Sequence, residues 1–339
     1  MIKQAKWGRM VGLTLVELLV SIALSILLMT GAISIFIASK ESFNVGEDLS
    51  RVQENIRFIT SRIFKDVTLA GYVGCAPFPE GELLADISTV PGFMNAAAEG
   101  QLGDFSKAII GSESDGPNSS DSLTIHFALV SSAMRVDPKS YFGGGRDEDD
   151  EKPNNFYDNE GEDPYEGDEI IVISDCKAAI FAKLNQAPSK DDPLDFTGIA
   201  AESYSVRLGI SSPLYYYKMD GVTYQLATVG PDSDGKYVSQ LMATRLSAPN
   251  NPQPLLDGVE DFQIEYGIDL NKDLSAERYL NWNQIVGGNH QTRIVSVRIS
   301  LVMNAGEPQT DALGQVTDVE KNMVKNSVFT VALRNRGNF

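Results

Sequence analysis

Apolar residues run without a charge from Leu18 to Ala38, LLVSIALSILLMTGAISIFIA. About 20 such residues, wound as a helix, span the hydrocarbon core of a bilayer. The run therefore predicts one membrane-crossing helix. Beyond Lys40 the apolar positions become periodic: Leu49, Val52, Ile56, Ile59 and Ile63, with Phe64 and Val67 beside them. Steps of three and four gather these on one face and leave Arg51, Glu54, Arg57, Arg62 and Lys65 on the other. The spacing predicts an amphipathic helix to about Leu69, stopped by Gly71. Gly31 and Gly46 are places where it can bend.

From Cys75 onward the period shortens toward two. Ser122 to Val136, Glu169 to Ser174, Val259 to Gly267, Arg293 to Val302 and Ser327 to Arg334 all predict strands. Pro213 to Thr228 predicts a hairpin, because Asp220-Gly221 between two apolar runs is a strong type I′ turn signal. Connections that look like loops rather than helices favour antiparallel pairing. Residues 143–168, dominated by Gly, Pro, Asn and acids, and 185–195 predict polar loops. The fold class expected is α+β: a long N-terminal helix packed on a mostly antiparallel β-sheet body. The divisions expected are a leader at 1–12, a membrane half of the helix at 13–38, an amphipathic half at 39–71 and a β-rich body at 72–339.

Charge then changes the picture of the first helix. Residues 1–12 carry Lys3, Lys6 and Arg9 and no acid, which holds that end in the cytoplasm while the body crosses outward. Glu17 stands at the start of the apolar stretch. A carboxylate at the centre of such a helix costs ~2.5–3.5 kcal/mol on insertion scales. Nearer the interface it costs less, but it still needs a reason. The segment Gly12-Leu13-Thr14-Leu15-Val16-Glu17-Leu18-Leu19 resembles the class III signal of the type IV pilin superfamily. That resemblance implies cleavage between Gly12 and Leu13 by a prepilin peptidase on the cytoplasmic side, and N-methylation of Leu13. Leu13 stands where the family usually has Phe. The resemblance makes Glu17 the subunit-docking acid. A carboxylate in an apolar medium is tolerable only with a partner, and the amine freed on Leu13, its own or a neighbouring subunit's, is one.

Further stretches extend the likeness: DVTLAGYVGC at 66–75, SDCKAAIFA at 174–182, LLDGVEDFQIEYGID at 255–269 and TVALRNR at 330–336. Together they resemble the PilW family of minor pilins. The resemblance implies a structural subunit that primes pilus assembly at or near the tip. It also implies roles in adhesion and twitching motility. Its partners would be the prepilin peptidase, other minor pilins, the major pilin and a tip adhesin. The chain would lie first in the bacterial inner membrane, with its body periplasmic, and then in the pilus fibre. A minor pseudopilin of a type II secretion system shares the signal and the helix. An anchored periplasmic enzyme or ligand-binding module is the alternative of another class.

Composition adds limits. The 339 residues carry a formal net charge of -18, which repels nucleic acid phosphates. The two cysteines, Cys75 and Cys176, allow one intramolecular disulfide, the usual fate of a pair in an exported chain. No HExxH, Walker loop, GxSxG or CxxC occurs. Ser174 and Lys177 match S-x-x-K, but its companion motifs are missing. His126 and His290 stand in unrelated contexts, and His126 reads as a surface or satisfied residue. No enzyme activity, catalytic residue or cofactor is expected. Asp269, Asn271, Asp273 and Glu277 alternate as the start of a calcium loop does, although Leu274 replaces the usual glycine. Asp232 and Asp234 are a shorter case. Acidic loops in an acidic chain are ordinarily only solvated, so no metal is assigned.

Overall fold

The structure is a computed structural model. It describes residues 14–75, 107–136, 165, 169–174, 179–184, 196–197, 214–229, 238–304, 309–310, 316–318 and 324–335. The expected loops at 143–168 (save Tyr165) and 185–195, Asp232 and Asp234 lie outside the described residues.

Helix α1, Leu15–Leu69, is continuous over 55 residues. Gly71 follows it with φ +70°, the left-handed conformation that ends helices at low cost for glycine. Asn335, near the far end of the chain, donates from Nδ2 to Thr68 O at 3.1 Å and so supplies one of the donors that terminal helix carbonyls lack. Within residues 54–69, Ile59, Ile63 and Val67 are fully buried. Phe64 departs from the expected face and is exposed. The place on the buried stripe goes instead to Asp66.

The body contains β1 (Ile109–Ser112), β2 (Ser122–Ala128), β3 (Met134–Val136), β4 (Ile170–Ser174), β5 (Ala179–Leu184), β6 (Phe196–Thr197) and β7 (Leu214–Val229). It continues with β8 (Val238–Arg245), β9 (Gln253–Asp257), β10 (Val259–Ile268), β11 (Arg278–Leu280) and the short helix α2 (Trp282–Gly287). Last come β12 (Ile294–Asn304), β13 (Gln309–Thr310), β14 (Val316–Asp318) and β15 (Val324–Ala332). Every pairing between them is antiparallel. One sheet is built around β7, and a second runs β11-β10-β12-β15.

The expected hairpin at Pro213 to Thr228 is not formed. β7 is one strand of 16 residues that passes straight through Asp220-Gly221. It pairs with β3 and β2 along one edge and with β4 and β8 along the other. Ladder hydrogen bonds to four strands outweigh the local turn preference of an Asp-Gly pair. Gly221 serves a different need. A Cβ there would lie 2.8 Å from His126 Cδ2 and 2.9 Å from Ile125 O. Asp220 is buried and accepts from Arg245 Nη1 at 2.8 Å and from Ser247 N at 3.2 Å. The expected strand Ser122 to Val136 is likewise divided. A 3-10 turn at Val130–Ser132 separates β2 from β3, and Ser132 Oγ accepts from Lys218 N on β7 at 2.8 Å.

The second sheet joins the first through the turn between β1 and β2. Asp121 donates its N–H to Phe262 O and accepts on Oδ2 from Ile264 N, both at 2.8 Å. Glu113 accepts from Trp282 N at the start of α2. The core beneath is made by Phe262, Ile264, Val297, Ile299 and Leu301, all buried.

Two buried tyrosines of this body should respond in opposite senses to loss of the hydroxyl. Tyr224 donates to Asp66 Oδ2, so Tyr224→Phe is expected to cost about 1.5–3 kcal/mol, the range for a bond to a charged group. The Tyr266 hydroxyl is buried and bonds to no protein atom, so Tyr266→Phe should be neutral or stabilising by up to ~1 kcal/mol. Urea unfolding of the full chain in detergent measures both. Equal losses in the two variants would refute the assignment.

Candidate functional site

The first turn of α1 carries the feature singled out by the sequence. Thr14 stands just before the helix and its Oγ1 accepts from Glu17 N at 3.3 Å. Leu18 N donates to Thr14 O at 3.1 Å. Thr14 is therefore the N-cap and Glu17 the third helical residue, the spacing of a capping box. A carboxylate in the first turn also faces the positive end of the helix dipole. Glu17 thus has a favourable interaction within its own helix. The Thr-x-x-Glu spacing was available in the sequence as a signal for Thr14. Gly12 and Leu13 lie outside the described residues.

Beyond that turn the helix is suited to lipid. Leu15–Leu69 holds a stretch long and apolar enough to cross a membrane, and none of that stretch is buried. The hydroxyls of Ser21, Ser25, Thr30 and Ser34 each donate to the carbonyl four residues earlier, at 2.6–2.9 Å. Hydroxyls satisfied within their own helix can face hydrocarbon at little cost.

The chain leaves α1 by pairing with β2. Gly71 N donates to His126 O at 2.9 Å, and Ala128 N donates to Tyr72 O at 2.7 Å. His126 is fully buried, with Nδ1 2.8 Å from Lys107 O. It is a packed core residue beside Gly221. Cys75, at the end of this exit, is not a free thiol. Cys176 and Lys177 lie outside the described residues, while Ser174 is buried in β4.

Sequence reasoning missed the buried polar joint between α1 and β7. Asp66 sits at 3% exposure on the buried face of the helix. Its Oδ2 lies 3.3 Å from Arg62 Nε and accepts from the Tyr224 hydroxyl. Burial, and then the neighbouring Asp66 carboxylate, push the Tyr224 phenol well above its ordinary range, so it remains a proton donor. An acid on an apolar stripe was the signal. Its partner, far along the chain, was not visible.

The loop from Asp269 to Glu277, between β10 and β11, brings one carboxylate oxygen from each of Asp269, Asp273 and Glu277 within 4.8 Å of the others. Asp269 accepts on Oδ1 from Lys272 N at 2.6 Å and Asn271 N at 3.1 Å, and on Oδ2 from Leu274 N at 2.7 Å. Asp273 accepts from Ser275 N at 2.8 Å and Glu277 from Leu270 N at 2.8 Å. Lys272 and Leu274 adopt φ +69° and +65°, so Leu274 takes the conformation for which a calcium loop uses glycine. These bonds give the loop its shape from its own backbone donors.

A family model described as Type IV Pilus-assembly protein W matches residues 228–335. The match runs from the end of β7 past β15, and so takes in the whole second sheet, α2 and the acidic loop. No curated protein and no solved structure matches the chain.

The acidic loop generates a test of sign. Burial of Asp269 works against its ionisation, but the N–H groups of Leu274, Lys272, Asp273 and Asn271 outweigh it and hold the carboxyl below the usual range. A depressed carboxyl contributes stability that is present above the unfolded pKa and lost as pH falls through the folded one. Asp269→Asn should therefore lower the urea midpoint at pH 7. The difference from the unchanged chain should begin to narrow near pH ~4 and close as the pH falls through the lowered folded value. A difference independent of pH would show that the carboxylate charge is not what organises the loop.

Proposed function

We propose that this chain is a minor pilin, a structural subunit of type IV pilus assembly. Two observations support the reading. Glu17 is the one charged residue between Leu15 and Ala38, on a helix otherwise fit for a bilayer. The second sheet matches a family model for a pilus-assembly protein. Neither observation alone connects an anchor to a task. Together they favour a subunit that waits in the inner membrane and then moves into a filament.

In this reading the prepilin peptidase cuts between Gly12 and Leu13, and the amine of Leu13 is methylated. Thr14 caps the helix by accepting from Glu17 N, and the helix dipole favours the Glu17 carboxylate before docking. On docking the carboxylate pairs with an amine at the start of a neighbouring helix. A charge pair in an apolar medium is strongly position-dependent, because a partner even slightly displaced leaves a buried charge uncompensated. The pair therefore sets the register of the helix as the subunit enters. The body is periplasmic, with Cys75 and Cys176 joined. It presents surfaces to other minor pilins, the major pilin and a tip adhesin. The chain works by packing and charge pairing, and catalyses nothing.

Glu17→Ala should leave membrane insertion and protein level unchanged but reduce piliation, read by counting filaments on cells. Normal piliation at normal protein level would sink the docking role. Mass spectrometry of the mature chain should find an N-terminal peptide starting at methylated Leu13. A chain starting at Met1, or beyond Ala38, overturns the reading at its base. Closing a loop of about 100 residues contributes up to ~4–5 kcal/mol in the chain-entropy model. Paired Cys75→Ser and Cys176→Ser changes should lower the unfolding midpoint by a large part of that amount.

A further inference from the structure

The second sheet ends on one side at β15, and that edge is unlike the others. The outer strands β1, β6, β9 and β11 have 4, 2, 5 and 3 residues. β15 has 9, pairs with β12 along its whole length, and has no other strand beside it among the described residues. Its sequence VKNSVFTVA contains no proline and a single charge, Lys325, near one end. Soluble proteins ordinarily shorten, charge or cover such an edge, because its unpaired backbone groups are a template for another strand.

The ladder tells which groups face outward. Leu333 N donates to Val295 O at 2.9 Å, which makes Leu333 and Val295 a hydrogen-bonded pair. Such pairs alternate along an antiparallel ladder, and the register from Ser296↔Ala332 to Asn304↔Val324 has no shift. Ser327, Phe329 and Val331 therefore spend their backbone groups on β12. Asn326, Val328, Thr330 and Ala332 point theirs away from the sheet. The side chains of these four are all exposed, Val328 to 57%. On the opposite face Val331 is buried, but Phe329 is only half-buried, because the layer it belongs to stops at this strand.

We infer that the free edge of β15 is a strand-addition site for an extended segment of another protein, with apolar and β-branched residues in its middle and acidic residues at its ends. Charge decides between occupants. Lys325 lies near one end of the strand and exposed Arg334 just beyond the other, so each end presents a cation. Two copies pairing edge to edge about a two-fold axis would set Lys325 of each against the Arg334 end of the other. They would also bring together two chains of net charge -18. Both effects oppose self-pairing. An incoming strand flanked by Glu or Asp meets a cation at each end instead, and its side chains cover Phe329. The inference stands on the sheet alone and does not depend on the pilus reading.

Amide hydrogen exchange of the full chain in detergent micelles tests it. The probe is a peptide as long as β15, alternating valine and threonine, with glutamates at both ends. A second peptide is identical except for lysines at its ends. In the free chain the amides of Asn326, Val328, Thr330 and Ala332 should exchange at least roughly tenfold faster than those of Ser327, Phe329 and Val331. The glutamate-flanked peptide should slow the outward set about tenfold or more, and the lysine-flanked peptide should leave it unchanged. Thr330→Pro removes one outward donor without touching the β12 ladder, and should abolish the slowing while the inward amides stay protected. Should that variant not fold, the exchange pattern of the unchanged chain decides alone. No slowing by the glutamate-flanked peptide overturns the site. Equal slowing by both peptides overturns the acidic occupant. Slowing that grows with the chain's own concentration, without peptide, assigns the edge to a second copy and overturns the inference as stated.

Discussion

Backbone pairing along β7 is the constraint on which the body depends. Each residue of a buried strand must place its N–H and C=O on a partner. β7 does so by sharing its two edges among four strands, β2 and β3 on one side and β4 and β8 on the other. A turn at Asp220-Gly221 would separate the half that holds β4 from the half that holds β8. Continuity there brings Tyr224 to Asp66 on α1, Asp220 to Arg245 and Gly221 against His126. His126 in turn takes up the backbone of Gly71 as the chain leaves the helix. Helix exit, first sheet and the buried charges are therefore set by one strand.

The strongly acidic composition does not stay on the surface. Asp66, Asp121, Asp220 and Asp269 are all buried to 3% exposure or less. Each is held by donors, because an unpartnered buried carboxylate is too costly. Similar donors do not give similar titration. At Asp121 burial outweighs the N–H groups of Ile264 and Ser114, with Asp261 and Asp115 adding repulsion, and the carboxyl is raised. Glu113 is raised as well, again by burial first. At Asp269 four backbone donors prevail over burial and the carboxyl is lowered. The joint between the sheets thus favours protonation, and gains stability as pH falls through the raised pKa values. The acidic loop loses stability below its own lowered one. The two respond to acid in opposite directions.

Legibility followed the range of the determining contact. The end of α1 at Leu69, with Gly71 beyond it, could be read because a 3.6-residue period and a C-terminal glycine are local. The strands β10 and β12 could be read because alternation in VEDFQIEYG and RIVSVRISLV reflects one buried face each. Asp220-Gly221 misled because its turn preference is local, whereas the four strands that override it come from residues 122–136, 170–174 and 238–245. Phe64 misled for a related reason. The period placed it beside Ile63, but the sector facing the body is narrow and is completed by Asp66 and Val67. The capping role of Thr14 lay in plain spacing. The partner of Asp66, Tyr224, is 158 positions away and leaves no trace in any local window.

The polar groups of the chain differ in how fully they are spent. In the body, many hydroxyls, carboxylates and backbone donors are turned inward on one another, as Thr124 and Thr223 show with their shared bond at 2.8 Å in the core. No catalytic constellation is assembled from them among the described residues. Apart from buried hydroxyls such as that of Tyr266, uncommitted polarity appears at Glu17, a carboxylate in an apolar run, and along the outer edge of β15. Each is expensive to maintain in isolation: the first in lipid, the second in water, where an open edge risks aggregation. Both costs vanish when a partner supplies the complementary group. On the proposed reading both sites are completed by other chains, and the second sheet, where the family match falls, carries one of the two.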